Sequence, residues 1–209
     1  MNPAQLARNM KILEKYVPEQ AVGLISKWIY DFDFKLKIKR TRSSKFGDYR
    51  PPLPGKNHQI TVNNDLNRYA FLLTLVHEIA HLSNFIKTGD KVAPHGREWK
   101  HEFRVLMQPF FAMQVFPPDV RAAVEKYLNN PAATSCSDIG LQKTLKNYDE
   151  KDDHILLETL TQGSMFEYKG MRFSKGAKRR KRYICLQLHN ERSYLFSPVA
   201  EVLPLPDIQ

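Results

Sequence analysis

The chain has 209 residues, 42% hydrophobic and 26% charged, with a formal charge of +10, so it can bury a proper core and remain strongly basic. No run approaches the roughly 20 apolar residues of a membrane span, and the first residues show no basic-then-apolar leader pattern. Two cysteines, Cys136 and Cys185, cannot make a disulfide framework. A membrane protein and a disulfide-stapled secreted domain are therefore not expected; a reduced, cytoplasmic setting is.

Asn2-Pro3 reads as a helix cap followed by proline at the first helical position, and Leu6, Met10, Leu13 and Val17 follow at helical spacing. Pro18 interrupts, and Glu19 to about Ile29 forms a second helix. The period then changes to two. Phe32, Phe34, Leu36 and Ile38 alternate with Asp33, Lys35, Lys37 and Lys39, the pattern of a strand with one buried and one charged face. Residues 41–56 are rich in Pro, Gly, Ser and Arg and read as a loop or hairpin connection. A short strand follows around Ile60 and Val62.

Asn64 or Asp65 is placed to cap a long helix running to about Lys87 and closed by Gly89, with Leu66, Leu73, Val76 and Ala80 on its inner face. A loop through Pro94 leads to a helix from about Gly96 to Gln108, and Pro117-Pro118-Asp119 opens another from Val120 to Leu128. From there to about residue 153 no periodicity is visible, which predicts a linker. Beyond it the pattern is β, over Ser164–Phe173, Arg182–His189 and Ser193–Leu203, with Gly163, Gly170, Gly176 and Asn190 at turns.

His77-Glu78-Ile79-Ala80-His81 is an H-E-x-x-H motif on the most strongly helical segment. Its i, i+4 spacing places both imidazoles on one helix face, within reach of one metal ion. Glu78, about 100° round the axis, can stand beside an open coordination position as a general base. A catalytic Zn²⁺ needs a third protein ligand. His95 is the natural candidate, because a short loop returns it to the first helix and the next helix begins there; Glu98 and Glu102 are alternatives. His101, six residues beyond His95, reads as exposed or supporting. Trp99, Phe103 and Leu106 read as core. An oxyanion donor from His101, Tyr49 or Arg97 is not identified by spacing.

The run Thr74 to His81, followed by His95-Gly96-Arg97-Glu98-Trp99-Lys100, resembles the SprT-like metallopeptidase family, which includes the Spartan proteases. The resemblance covers roughly residues 5–130, including the basic strand, the Thr41-Arg42-Ser43 loop and the strand Gln59–Asn63. It implies that His95 is the third zinc ligand and that the domain is zincin-like, with helices packed on a small mixed sheet. Many relatives carry a zinc ribbon of two Cys-x-x-Cys pairs. Here Cys185 stands alone, with Leu188 where a second cysteine would be. A small metal-free antiparallel β module is expected instead, held by Phe166, Phe173, Tyr183, Ile184 and Phe196.

The charge is uneven. Seven cations and one acid lie between Lys35 and Arg50, and seven cations with no acid between Arg172 and Arg182. A solvated basic face is the plain reading. Phosphate contacts from Lys35, Lys37, Lys39, Arg40 and Arg42, and from Lys178, Arg179, Arg180, Lys181 and Arg182, are the functional one; resemblance to proteases that act on DNA-bound proteins favours DNA.

The sequence thus predicts an α+β chain with a metallopeptidase domain over 1–130, a linker over 131–155 and a β module over 156–209. Its expected activity is zinc-dependent cleavage of protein substrates, DNA-associated ones by the resemblance, with Zn²⁺ on His77, His81 and His95 and Glu78 as base. The strand at 58–63 is expected to offer an edge for substrate pairing. The alternative is a nucleic-acid-binding protein whose zinc site is structural or inactive.

Overall fold

The computed structural model describes residues 3–42, 45–132, 138–150 and 153–206. The Asn2 cap, Ser43 and Cys136 lie outside them. The chain is α+β and divides into two compact units, Met1–Asp149 and Glu150–Gln209. Among the described residues no helix is long and apolar enough to cross a membrane.

The first unit begins with helices α1 (Pro3–Leu13) and α2 (Glu19–Asp31). Strand β1 spans Phe34–Lys39, so Phe32 is excluded from the strand in which its alternation had placed it. The reason is local: Phe32 caps α2 and Asp33 turns the chain with φ 46°. β2 (Gly47–Arg50) forms inside the segment read as a loop or hairpin, and β3 covers His58–Asn63. The strand order is β1-β3-β2, with β1 parallel and β2 antiparallel to β3. β3 is therefore the central strand, not an edge.

Helix α3 (Arg68–Thr88) lies against β2 and β3. It is capped by Asn67, not by Asn64 or Asp65: the Asn67 Oδ1 accepts the backbone N–H groups of Tyr69 and Ala70 at 3.1 and 3.0 Å. The whole stretch Ala70–Ala80 is buried, so this is a central helix rather than one with a single inner face. α4 (Arg97–Ala112) packs on α3 and α5 (Pro118–Asn129) packs on α4.

The expected linker contains a further helix, α6 (Ile139–Lys146). Asp138 caps it, and Leu141 and Leu145 enter the main core. Asn67 also donates to the Leu145 carbonyl and to Asp149, at 2.8 and 2.6 Å, tying the start of α3 to the end of α6. These residues belong to the first unit.

The second unit is one antiparallel sheet of order β4-β9-β5-β6-β7-β8. Its strands are β4 (Ile155–Leu156), β5 (Met165–Tyr168), β6 (Met171–Arg179), β7 (Arg182–Gln187), β8 (Ser193–Phe196) and β9 (Glu201–Pro204). Leu157, Phe166, Phe173, Cys185, Phe196 and Val202 form its core, with Tyr183 packed at the margin. Ile184 is not part of that core, because alternation along β7 turns it to the face opposite Cys185. Gly176 is no turn. It lies within β6 at a register shift, close enough to the Ile184 carbonyl that a side chain would not fit.

Candidate metal centre

His77 and His81 stand one turn apart on α3, and His95 reaches them from the loop before α4. Their candidate ligand atoms all lie within 4.8 Å of one another. The Nε2 atoms of His81 and His95 are 2.9 Å apart, near the roughly 3.3 Å that two nitrogens of a tetrahedral zinc site would show from Zn–N bonds of about 2.0–2.1 Å. His95 has φ 60°, in the left-handed region, and this turns its imidazole back toward α3. Gly96 then starts α4, its N–H bonded to the Ala93 carbonyl at 3.0 Å.

The three imidazoles share one wall. The fully buried Trp99 ring stacks on His81 (centroids 5.1 Å apart) and meets His77 and His95 edge-on at 4.7 and 4.6 Å. Phe103 continues the stack behind Trp99 at 5.3 Å. Trp99 is thus core, as its spacing implies, and also what holds the imidazoles in place.

Burial, the largest influence, pushes all three imidazoles below their usual range. His77 lies well below it, with His81 and His95 adding to the effect. His81 falls to about 3, and His95 is lowered further by Lys100. The site therefore presents neutral imidazoles, the form that binds a metal. His77 Nδ1 is buried without a hydrogen-bond partner among the described residues. The donor set and its charge state fit a divalent ion.

Glu78 is 7% exposed and packs against β2. Burial pushes its carboxyl up to about 8, helped by the charge of Asp48 and opposed by the Tyr49 backbone N–H and by Lys45 and Arg42. The seat for this side chain is Gly47. A Cβ there would lie 2.5 Å from Glu78 Oε1 and 2.8 Å from both Glu78 Cγ and Thr74 Cγ2. Asp48, paired with Lys45 and Arg50, fixes the strand beyond it. Neither Gly47 nor Asp48 was singled out from the sequence, because a glycine in a segment rich in Pro, Gly, Ser and Arg reads as a turn residue rather than as a point of close backbone approach.

Of the alternative ligands, Glu98 is exposed, while Glu102 accepts Ser83 Oγ and Lys87 Nζ at 2.8 and 2.7 Å and braces α3 to α4. His101 and Arg97 are exposed, and the Tyr49 hydroxyl is bonded to His58 Nδ1 at 2.9 Å.

The basic residues fall into two groups, one per unit. Lys37, Lys39 and Arg42 come together with Arg50, Gln59 and Thr61 around a pocket of about 310 Å³. Arg42 is held by Asn63, its Nε donating to Oδ1 at 2.9 Å, while Nη2 is buried with no hydrogen-bond partner among the described residues. Lys35 and Arg40 are exposed and do not line this pocket. In the second unit Lys178–Arg182 form the exposed tip of the β6–β7 hairpin, with Lys178 over the Tyr183 ring.

Residues 19–122 match the sequence profile of the SprT-like family. No curated protein and no solved structure shows significant similarity to the chain.

Proposed function

We propose that the SprT-like domain carried by residues 19–122 is a zincin-like, zinc-dependent endopeptidase in which His77, His81 and His95 hold one Zn²⁺ and Glu78 is the general base. The observation that carries this reading is the convergence of three neutral imidazoles beside a carboxyl group one residue from His77. Three nitrogen donors with neither thiolate nor carboxylate among them suit zinc and leave a position for chemistry. Bound there, zinc supplies Lewis acidity that polarises a carbonyl and acidifies water.

The remaining work falls to the chain. Glu78 takes a proton from the attacking water and delivers it to the leaving amine. Its burial against β2 keeps the carboxylate from pairing with bulk water, and the Tyr49 N–H orients it. β2 is the outer strand next to α3. The Asn63 N–H bonds to the Phe46 carbonyl, which fixes the phase of the ladder so that Gly47 and Tyr49 direct their main-chain groups away from β3, the Tyr49 N–H to Glu78 and the Gly47 groups and Tyr49 carbonyl toward the outer edge. An extended substrate would therefore run beside β2 rather than β3.

Zinc analysis and cleavage of an unfolded protein by the wild type, Glu78→Gln and His95→Ala test the reading. Glu78→Gln should keep about one zinc per chain and lose cleavage by at least about 10³-fold, and His95→Ala should lose the metal. A fully active Glu78→Gln protein, or a wild type that binds no zinc, overturns it.

The pocket formed by Lys37, Lys39, Arg42 and Arg50 supports a polyanionic partner, and we assign it to DNA phosphates, with the Lys178–Arg182 hairpin as a second contact. Substrates would then be proteins associated with DNA. DNA binding with no cleavage in the presence of zinc would favour the reading as a binding protein with a structural metal.

A further inference from the structure

Two turns beyond the first metal-site histidine, α3 carries Phe85, which is only partly buried and stands outside the main core. It follows His81 by four residues and Glu78 by seven, so it lies on the metal-bearing side of the helix, about 6 Å along the axis from His81 and about 10 Å from Glu78. Two other rings meet it from the sheet. Tyr49 on β2 is 6.2 Å away and His58, at the start of β3, is 5.8 Å away and edge-on. Tyr49 and His58 are themselves stacked at 5.9 Å and joined through the Tyr49 hydroxyl. All three rings are partly exposed.

The alignment of β2 with α3 says what this cluster faces. Gly47 packs against Glu78 and Tyr49 against Phe85, so the strand runs beside the helix in the same direction. A substrate strand beside β2 passes Glu78 first and the aromatic cluster next. At about 3.3 Å per residue, the roughly 6–10 Å separating the cluster from His81 and Glu78 corresponds to two or three residues of extended peptide. Alternate side chains of that strand turn toward α3, as Gly47 and Tyr49 do. One of them meets three rings held by two strands and a helix.

We infer that Phe85, Tyr49 and His58 form a side-chain subsite that selects an aromatic or large apolar residue two or three positions from the scissile bond. The inference takes its orientation from the peptidase reading. A bare structural prop for β2 would need the same rings but no preference in the bound peptide, and this is where the two accounts part.

The test uses zinc-loaded Glu78→Gln protein and fluorescein-labelled peptides of alanine, serine and glycine in which a single phenylalanine is walked along the sequence. Fluorescence anisotropy should find one position at which Phe in place of Ala tightens binding about 10- to 100-fold, the range for burying one large apolar side chain. Adding Phe85→Ala should reduce that preference to under about threefold, while Phe85→Leu should retain most of it. Equal binding of all peptides, or a Phe85→Ala change that weakens every peptide alike, overturns the subsite. Because the readout is binding, a wild type that fails to cleave these peptides counts against the peptidase reading alone, and the anisotropy still decides the subsite.

Discussion

Replacing Gly47 by alanine puts one methyl group where the structure has no room for it. The new carbon would sit 2.5 Å from Glu78 Oε1 and 2.8 Å from Glu78 Cγ and Thr74 Cγ2, whereas non-bonded heavy atoms settle at about 3.5 Å. Something has to move by about 1 Å. Thr74 and Glu78 are 4% and 7% exposed and belong to a helix buried along most of its length, so α3 cannot retreat. The carboxylate or β2 must yield. Either way Glu78 leaves its place relative to the imidazoles, and a misplacement of about 1 Å at a reacting group lowers the rate by about 100-fold. The same overpacking should destabilise the domain by about 1–3 kcal/mol. No histidine atom is among the three nearest the new carbon, so zinc content should stay at about one per chain, as for a site of three histidines. Peptide-cleavage kinetics, zinc analysis and a thermal melt on the one variant separate these effects. A Gly47→Ala protein whose kcat/KM stays within about threefold of wild type would refute the seat, since that is too small for a 1 Å displacement.

Other outcomes follow from the same geometry. Gly23 lies mid-helix in α2 with no atom within 4 Å of where a Cβ would be, so Gly23→Ala should stabilise by about 0.5–1 kcal/mol; a lower melting temperature would contradict this. In metal-free protein Glu78 holds its proton up to about pH 8 when folded but only to about 4.3 when unfolded. The folded state therefore binds more protons across that window, and wild type should lose stability relative to Glu78→Gln as pH rises through it. The loss is at most about 1.4 kcal/mol per unit, read from urea midpoints in chelator at pH 5 to 8, and a flat difference would count against the buried, protonated carboxyl. Finally, replacing Lys37 and Arg50 by alanine should lower the slope of log affinity for DNA against log salt by about 2; an unchanged slope would place the DNA elsewhere.

How much of this could be read from the sequence depended on the distance over which each feature is decided. His77, Glu78 and His81 are related by the pitch of one helix, and His95 by a loop too short to wander, so their convergence was visible in the spacing. α6 was not. It has only two buried apolar residues, Leu141 and Leu145, and its support comes from the side chain of Asn67, far away in sequence. The start of α3 is locally ambiguous for a related reason: three candidate caps lie within four residues, and the one that caps, Asn67, is also the one bonded to α6.

Strand order has no local signature at all. The alternating run His58–Asn63, with only Ile60 and Val62 apolar, reads equally well as an edge or as a centre; its place between two strands follows only once β1 and β2 have found it. That ordering decides the site. With β2 outside, Glu78 faces a glycine and a backbone N–H. Under the proposed function the motif on α3 supplies a carboxylate for a metal site, but what would make that carboxylate usable is the absence of a side chain at Gly47, and an absence matters only relative to the atoms that would have met it. Local patterning can therefore announce this chemistry, while the packing of β2 determines whether it is poised.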